Sequence, residues 1–401
     1  MRIALLLGND SLSHTARGLA LRGRLLERGH EVLLIAGGRG ARLLDSISAW
    51  VLPDLGDVDG AAAPGVEWFR PQNFERCLRS EADLLRELRP DRALGIFRLT
   101  GSSAAKLAGV PFDSLACGCV MPECPAVLGM DGRHPLERAQ EKTFGIFRGY
   151  CAKLVGKVLE PMGLPAPRDI WELLRGRRTF LWDFPEFLPM PPEADVIHVG
   201  PIWCRQWPTD GFDVARVARM AAPRAVVAFG TSPGHQEVVR HFVRLLLGIG
   251  WSVVLAAGGQ GKLLEDMPAS DRLAAFEFVP LEEVLPLARV VLCHGGQGVI
   301  FDALRRGVPV LVVPFQPEQA HNGLCLERLG CGRRIFAWRP YWGQPYSYRA
   351  ELKAMDGAAL SAILEDLLGN PSLGDRLSKM SACIGRYDGA AALARLLEQD
   401  A

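Results

Sequence analysis

The sequence predicts an α/β protein made of two doubly wound domains, each a parallel sheet covered by helices on both faces. Three observations predict it. Short unbroken apolar runs, at residues 3–7, 225–229 and 290–293, read as strands buried on both faces. Stretches with helical spacing alternate with those runs, as parallel strands joined by crossover helices require. The alternation lapses in mid-chain and then restarts, which divides 401 residues into two domains rather than three.

The first run ends at Gly8. A helical pattern over 15–28 follows, with Leu19, Leu21, Leu25 and Leu26 on its apolar side, and Gly29 stops it. Residues 32–35 read as the second strand. The plan continues with a helix over 74–88 stopped at Pro90, a strand over 93–97, a helix over 102–108 and a strand over 112–117. From about 121 to 188 the alternation gives way to Pro, aromatic and helical stretches. Phe144, Phe147, Tyr150, Trp171, Phe180, Trp182 and Phe184 there read either as packing or as the lining of an insertion. Residues 196–199 close the first half, and the Pro- and Trp-rich stretch 200–223 reads as a linker. Strands at 225–229, 252–256, 275–279, 290–293 and 310–313 then alternate with helices at 237–247, 281–286 and 298–306. Residues 389–399 form a short amphipathic helix. The expected domains are 1–205 and 206–380, followed by a helical segment 381–401.

Composition narrows the function classes. Hydrophobic residues at 49% and charged residues at 23% describe a folded globular chain rather than a disordered one. Lys+Arg 46 against Asp+Glu 45 leaves a formal charge of +1, without the overall basic footprint of a nucleic-acid binder. Among the 10 Cys, the tightest cluster is Cys117, Cys119 and Cys124, which lacks the paired spacing of a zinc site. Free or buried thiols and no metal are expected. The apolar run after Arg2 is too short for a signal-peptide core, and no run approaches the roughly 18 apolar residues of a spanning helix. A cytoplasmic protein without a transmembrane segment or nucleic-acid partner is expected, with a homodimer left open.

The chemistry concentrates at Val291-Leu-Cys-His294-Gly295-Gly296-Gln297-Gly298, a strand entering a glycine turn and then a helix. Glycines let the backbone approach a ligand closely, and the new helix offers unpaired N–H groups carrying partial positive charge. A diphosphate is the natural guest of such a turn. Downstream follow Asp302, Gly307, Pro309, Pro314, Glu318-Gln319, Asn322, Glu327 and Gly330, and upstream stands Phe278-Val279-Pro-Leu. Taken together, residues 278–332 strongly resemble the donor-binding signature of inverting GT-B nucleotide-sugar glycosyltransferases. That family includes UDP-glucuronosyltransferases, plant secondary-metabolite glucosyltransferases and bacterial antibiotic glycosyltransferases. The resemblance implies the GT-B fold, two Rossmann-like domains facing across a cleft, with the C-terminal helix crossing back to the first.

It also implies residue roles. Phe278 would lie against the nucleobase, with the Val279 backbone pairing to its edge. His294 would hydrogen-bond the diphosphate beside the N–H groups near Gly295, Gly296, Gln297 and Gly298. Asp302 would accept from ribose hydroxyls, and Glu318 and Gln319 would hold hydroxyls of the sugar. Gly230-Thr231-Ser232, after the first strand of this half, resembles the family's other phosphate-side loop. Read without the resemblance, Phe278 is core and Asp302 a solvated helix residue. One departure is Val299, where many relatives carry Ser or Thr. Phosphate binding would rest on amides and helix dipole, with no metal and no cofactor beyond the UDP- or TDP-sugar co-substrate.

The first half should carry the acceptor and a general base. Ser13-His14-Thr15-Ala-Arg17 resembles the family's first loop and helix, which makes His14 the candidate base. An imidazole near pKa 6.5 suits proton removal around neutral pH, and the same residue reads otherwise as decoration of a helix start. Aligning Pro90-Asp91 and the strand after it with the family places Ile96 where relatives carry an Asp that orients the base. Asp10, Asp113 or Glu123 could substitute, His14 could act without a partner, or the acceptor could need little deprotonation. The resulting expectation is an inverting transferase moving sugar to a small natural-product-like acceptor. The alternatives are a non-catalytic nucleotide-sugar-binding helper and a GT-B nucleotide-sugar epimerase or hydrolase.

Overall fold

The computed structural model describes residues 1–8, 12–37, 44, 49–53, 68–124, 135–203, 212–230, 235–265, 267–335 and 351–399. The chain folds into two compact units. One is drawn from Met1–Val127, Gly132–Cys204 and Tyr387–Ala401, the other from Arg205–Arg386.

The first unit runs β1 (Arg2–Leu7), α1 (Leu12–Glu27), β2 (Glu31–Gly37), β3 (Ala49–Leu52), α2 (Pro71–Leu88), β4 (Arg92–Ile96), α3 (Gly101–Ala108), β5 (Phe112–Ala116), α4 (Pro135–Leu159), β6 (Thr179–Leu181) and β7 (Ile197–His198). Its seven-stranded sheet has the order β3-β2-β1-β4-β5-β6-β7, and its pairings are parallel. Burial explains the apolar runs: Ile3, Ala4, Leu5 and Leu6 of the inner strand β1 are sealed on both faces. Helix α2 buries Phe74, Cys77, Leu78, Ala82 and Leu85 at helical spacing while Arg76 and Arg79 face water. The irregular stretch 121–188 holds a long helix, α4, and a three-residue strand, β6. Its aromatics divide. Phe180, Trp182 and Phe184 are core, whereas Tyr150 is exposed.

The second unit runs β8 (Arg224–Ala228), α5 (Gln236–Gly248), β9 (Ser252–Ala256), β10 (Leu273–Phe276), β11 (Val290–Cys293), α6 (Gln297–Arg305), β12 (Val310–Val312), α7 (Pro317–Leu329), β13 (Gly332–Arg334), α8 (Gly357–Leu368) and α9 (Leu373–Ile384), with short helical turns between. The sheet order, β10-β9-β8-β11-β12-β13, again steps outward from the first strand in both directions, and the pairings are parallel. Such an order reverses at the first strand, so the loops leaving β8 and β11 open beside each other at one edge. The strand expected over 275–279 ends earlier, at Phe276, which leaves Phe278 and Val279 in the loop beyond it.

After α9 the chain returns to the first unit as α10 (Gly389–Glu398), which packs on α1. Asp388 caps its start, accepting from the Ala391 N–H at 3.1 Å. Its last turn meets two arginines: Arg92 Nη1 donates to the Leu397 carbonyl at 2.9 Å and Arg178 Nη1 to that of Leu396 at 2.7 Å. Cations suit the negative end of a helix dipole. Both arginines also bind Asp113, which is 1% exposed.

Candidate functional site

In the second unit, β11 delivers His294 to the sheet edge and the chain turns through Gly295 and Gly296 into α6. Gly295 has φ 98°, and a Cβ there would stand 2.7 Å from the Gln319 carbonyl oxygen and 2.8 Å from Val312 Cγ1. Its own carbonyl accepts from Asn322 Nδ2 at 2.9 Å, so the turn is pinned to α7. The His294 imidazole lies between two glycines. A Cβ on Gly296 would be 2.6 Å from Nε2, and one on Gly230, at the end of β8, 3.0 Å from Cε1. Burial pushes the His294 pKa down to about 4, against a smaller opposing pull from the Ala228 backbone. The ring is therefore neutral at pH 7, with one N–H to donate. Its Nδ1 is buried and has no well-aligned hydrogen-bond partner among the described residues.

The other residues expected on the donor side fall on the same edge of the sheet or on the helices that start there. Gly230 has φ 68°, and its carbonyl accepts from Gln260 Nε2 at 2.9 Å; Thr231 and Ser232 lie outside the described residues. Phe278 is half-buried beside the turn after β9, where a Cβ on Gly259 would be 3.6 Å from its ring. Val279 is half-buried next to it. Gln297 is buried, Gly298 is exposed and Asp302 is half-buried, all on α6. Glu318 is half-buried in the first turn of α7. Gln319 is buried, and its Oε1 accepts from the Phe315 N–H at 2.7 Å. That oxygen holds a loop, which leaves the amide nitrogen as the group able to face a ligand.

In the first unit, His14 sits in the first turn of α1, and its Nδ1 is 2.8 Å from the Gly8 carbonyl oxygen. With Nδ1–H donating there, Nε2 carries the basic lone pair. The ring stacks on Phe97 at 5.1 Å and 19° and lies 5.7 Å from Trp182. Arg17, one turn on, places its guanidinium 4.1 Å from the Trp182 ring centre. Ile96 is fully buried in β4 and Phe97 follows it with φ 52°. Two of the substitute acids are engaged elsewhere. Asp113 enters β5 near its start, opposite Leu94, and pairs with Arg92 and Arg178. Glu123 accepts from Arg175 at 2.6 Å. Asp10 lies outside the described residues.

Comparison with known proteins bears on both halves. Residues 236–338 match the model of the glycosyltransferase family 28 C-terminal domain. A PGL/p-HBAD biosynthesis glycosyltransferase of Mycobacterium tuberculosis is 26% identical over 302 residues, 67% of this chain and 64% of that protein. The chain thus spans somewhat under two thirds of the length of that curated relative. The glycosyltransferase of kitacinnamycin superposes with a TM-score of 0.73 at 22% identity, covering 99% of this chain and 98% of that one. The Streptomyces sp. SF2575 glycosyltransferase SsfS6, solved with thymidine diphosphate, gives 0.62 at 20% identity, covering 100% and 99%. The chain shares the two-domain fold of these solved glycosyltransferases, and its second half resembles the family 28 C-terminal domain.

Several residues that shape these turns escape a motif reading. Gln260 and Asn322 tie down the two glycine turns from positions about 30 residues away in the chain, with no motif to mark those contacts. His235, capping α5, stacks on Phe315 at 3.7 Å. The remaining histidines outside the masked stretches are bound in structure: His30 to Glu398, His198 to the Asp183 carbonyl, His241 to the Met355 carbonyl, and His321 buried in α7. No helix among the described residues is long and apolar enough to cross a membrane, and none of their His, Cys, Asp and Glu side chains form a metal-holding group of three.

Proposed function

We propose that this chain transfers a glycosyl group, with inversion, from a UDP- or TDP-sugar held by the second unit to a small apolar acceptor held by the first. The observation that carries the donor side is the His294 imidazole, closed in by Gly230 and Gly296 at the ends of β8 and β11, with a buried Nδ1 that has no well-aligned hydrogen-bond partner among the described residues. A buried polar atom without a partner calls for one, and the α6 N-terminus supplies further donors beside it. Diphosphate oxygens meet both needs. A relative solved with thymidine diphosphate supports the same ligand class.

His14 is the proposed base. Nε2 takes the proton of the acceptor hydroxyl as its oxygen attacks the anomeric carbon, and the bond from that carbon to the diphosphate oxygen breaks, its electron pair leaving with the nucleotide. Charge growing on the leaving diphosphate is met by amide dipoles and the His294 N–H. Phe278 would stack on the base, Asp302 would accept from the ribose, and Glu318 with the Gln319 amide nitrogen would bind the sugar. A panel of nucleotide sugars with apolar hydroxylated acceptors, assayed for released UDP or TDP, tests the reading. Absence of donor binding and of turnover across the panel would sink it. His14→Ala should cut turnover at least a hundredfold while donor affinity holds, since a positioned base contributes roughly 10²–10⁴-fold. Ile96, apolar where relatives carry the acid, favours a second reading, a chain that binds donor without transfer. Donor binding with no turnover, unchanged by His14→Ala, would select it.

A further inference from the structure

We propose that Phe97 is the positioning residue for His14, holding the imidazole by ring stacking next to the point where relatives carry a carboxylate; this rests on His14 being the base. Two of the contacts on the imidazole bear on its orientation. The Gly8 carbonyl accepts from Nδ1, and the Phe97 ring lies nearly parallel to the imidazole at 5.1 Å. The first sets the tautomer and the second sets the plane of the ring, so together they aim Nε2.

The backbone of Phe97 shows why the stack is built rather than incidental. Its φ of 52° lies in the left-handed region, which an aromatic residue occupies only where its surroundings over-determine it. Those surroundings are on every side. The Phe97 N–H donates to the Leu115 carbonyl at 2.9 Å, continuing the β4–β5 ladder. Gly8 abuts the same peptide so closely that a Cβ there would be 2.0 Å from the Phe97 carbonyl oxygen. Beyond it, buried Arg98 donates to Glu81 at 2.9 Å and to the Leu7 carbonyl at 3.2 Å, and Thr100 donates to the same Glu81 oxygen at 2.7 Å. The ladder and the buried Arg98–Glu81 pair grip the chain on either side of Phe97. A relaxed, extended Phe97 would swing its ring off His14. The strain therefore sits at the residue that touches the proposed base, where it serves orientation rather than stability. Trp182 lies 6.4 Å and Trp171 6.2 Å from the Phe97 ring and limit its movement.

Phe97→Tyr, Phe97→Leu, Phe97→Ala and Phe97→Gly separate the ring from the backbone. Each is assayed for transfer kinetics and TDP affinity, for melting, and for the ring-proton and nitrogen signals of His14 by NMR. Phe97→Leu should lower kcat by about a hundredfold, the scale of a misplaced reacting group, with KM for donor and TDP affinity within about twofold. Phe97→Tyr should restore kcat to within about threefold. The upfield shift that a stacked phenyl imposes on the His14 ring protons should vanish in the Leu variant and persist in the Tyr variant. Phe97→Gly should melt above Phe97→Ala, because both lack the ring and only glycine is at ease at φ 52°. Wild-type kcat and unchanged His14 signals in Phe97→Leu would overturn the proposal. If wild type turns over no donor, the transferase reading fails, and the His14 signals still decide whether Phe97 fixes the ring.

Discussion

Replacing Gly295 by Ala perturbs the proposed donor turn where its backbone φ is positive and its neighbours are rigid. The new methyl would stand 2.7 Å from a backbone oxygen, that of Gln319, and 2.8 Å from Val312 Cγ1, and neither is the free end of a flexible side chain. An L-residue held at this positive φ costs roughly 1–2 kcal/mol, and forcing a methyl into a packed site adds roughly 1–3 kcal/mol. The sum, roughly 2–5 kcal/mol, is a large share of a domain's stability and should lower melting of the second unit on the order of 10 °C. Neighbouring glycines of the same motif should behave differently. Gly296 has an ordinary φ of −67°, so Gly296→Ala should melt close to wild type. Its methyl, however, would lie 2.6 Å from His294 Nε2 and displace the imidazole. Losing a hydrogen bond to a charged oxygen is worth roughly 1.5–3 kcal/mol, or about 10–100-fold in TDP affinity. Gly298 meets nothing within 4 Å and is the second residue of α6, so Gly298→Ala should raise helix stability by roughly 0.5–1 kcal/mol. Differential scanning calorimetry and TDP titration calorimetry on the three variants check the series. Equal destabilisation by Gly295→Ala and Gly298→Ala, or a Gly295→Ala protein that melts with wild type, would refute the reasoning.

Asp113→Asn should destabilise the first unit by about 3–5 kcal/mol in urea, because Arg92, 5% exposed, would keep its charge without a counter-ion. Hydrogen exchange along α10 should rise in the same variant, since Arg92 and Arg178 hold its last carbonyls. The depressed pKa of His294 sets a pH slope: between its folded value of about 4 and the unfolded value near 6.5, the unfolded chain takes up a proton that the folded chain refuses. Stability of the second unit should therefore fall as pH drops from about 6.5 towards 4, and His294→Gln should flatten that part of the urea-midpoint profile.

How much of this was legible in the sequence depended on how far apart the deciding residues lie. Strands β1, β8 and β11 are unbroken apolar runs because both faces are covered, and such runs show in a window of five residues. Strands β3 and β6 are four and three residues long, too short for a pattern, and β6 is preceded by the long helix α4, whose glycines and scattered aromatics blur its periodicity. The glycine motif was readable as a tight strand-to-helix turn, but the three different surroundings of Gly295, Gly296 and Gly298 were not. They are Gln319 and Val312, His294, and open space, respectively. Phe97 was hidden for the same reason. Family alignment directs attention to Ile96, which lies within the strand, while the left-handed turn that brings Phe97 onto His14 is imposed by Leu115, Gly8 and Glu81 from separate segments.

The charge balance also takes on a structural meaning. A chain with Lys+Arg 46 and Asp+Glu 45 has cations enough to hold a diphosphate by ion pairing. Yet several buried and half-buried arginines are turned inward: Arg92 and Arg178 onto Asp113 and the end of α10, Arg98 onto Glu81 beneath the proposed base, Arg334 onto Glu327. At the proposed donor turn the side chain that the two glycine loops enclose is an imidazole whose burial keeps it neutral. An arginine closed in among those glycines would have to lose its hydration before any ligand arrived, whereas a neutral N–H and the amides of α6 lose little. Dipoles fixed in advance suit a ligand whose charge grows during the reaction, because they need no rearrangement when it does. Arg98, which grips Glu81 and the Leu7 carbonyl just beyond Phe97, then belongs to the framework of the proposed base rather than to anion binding.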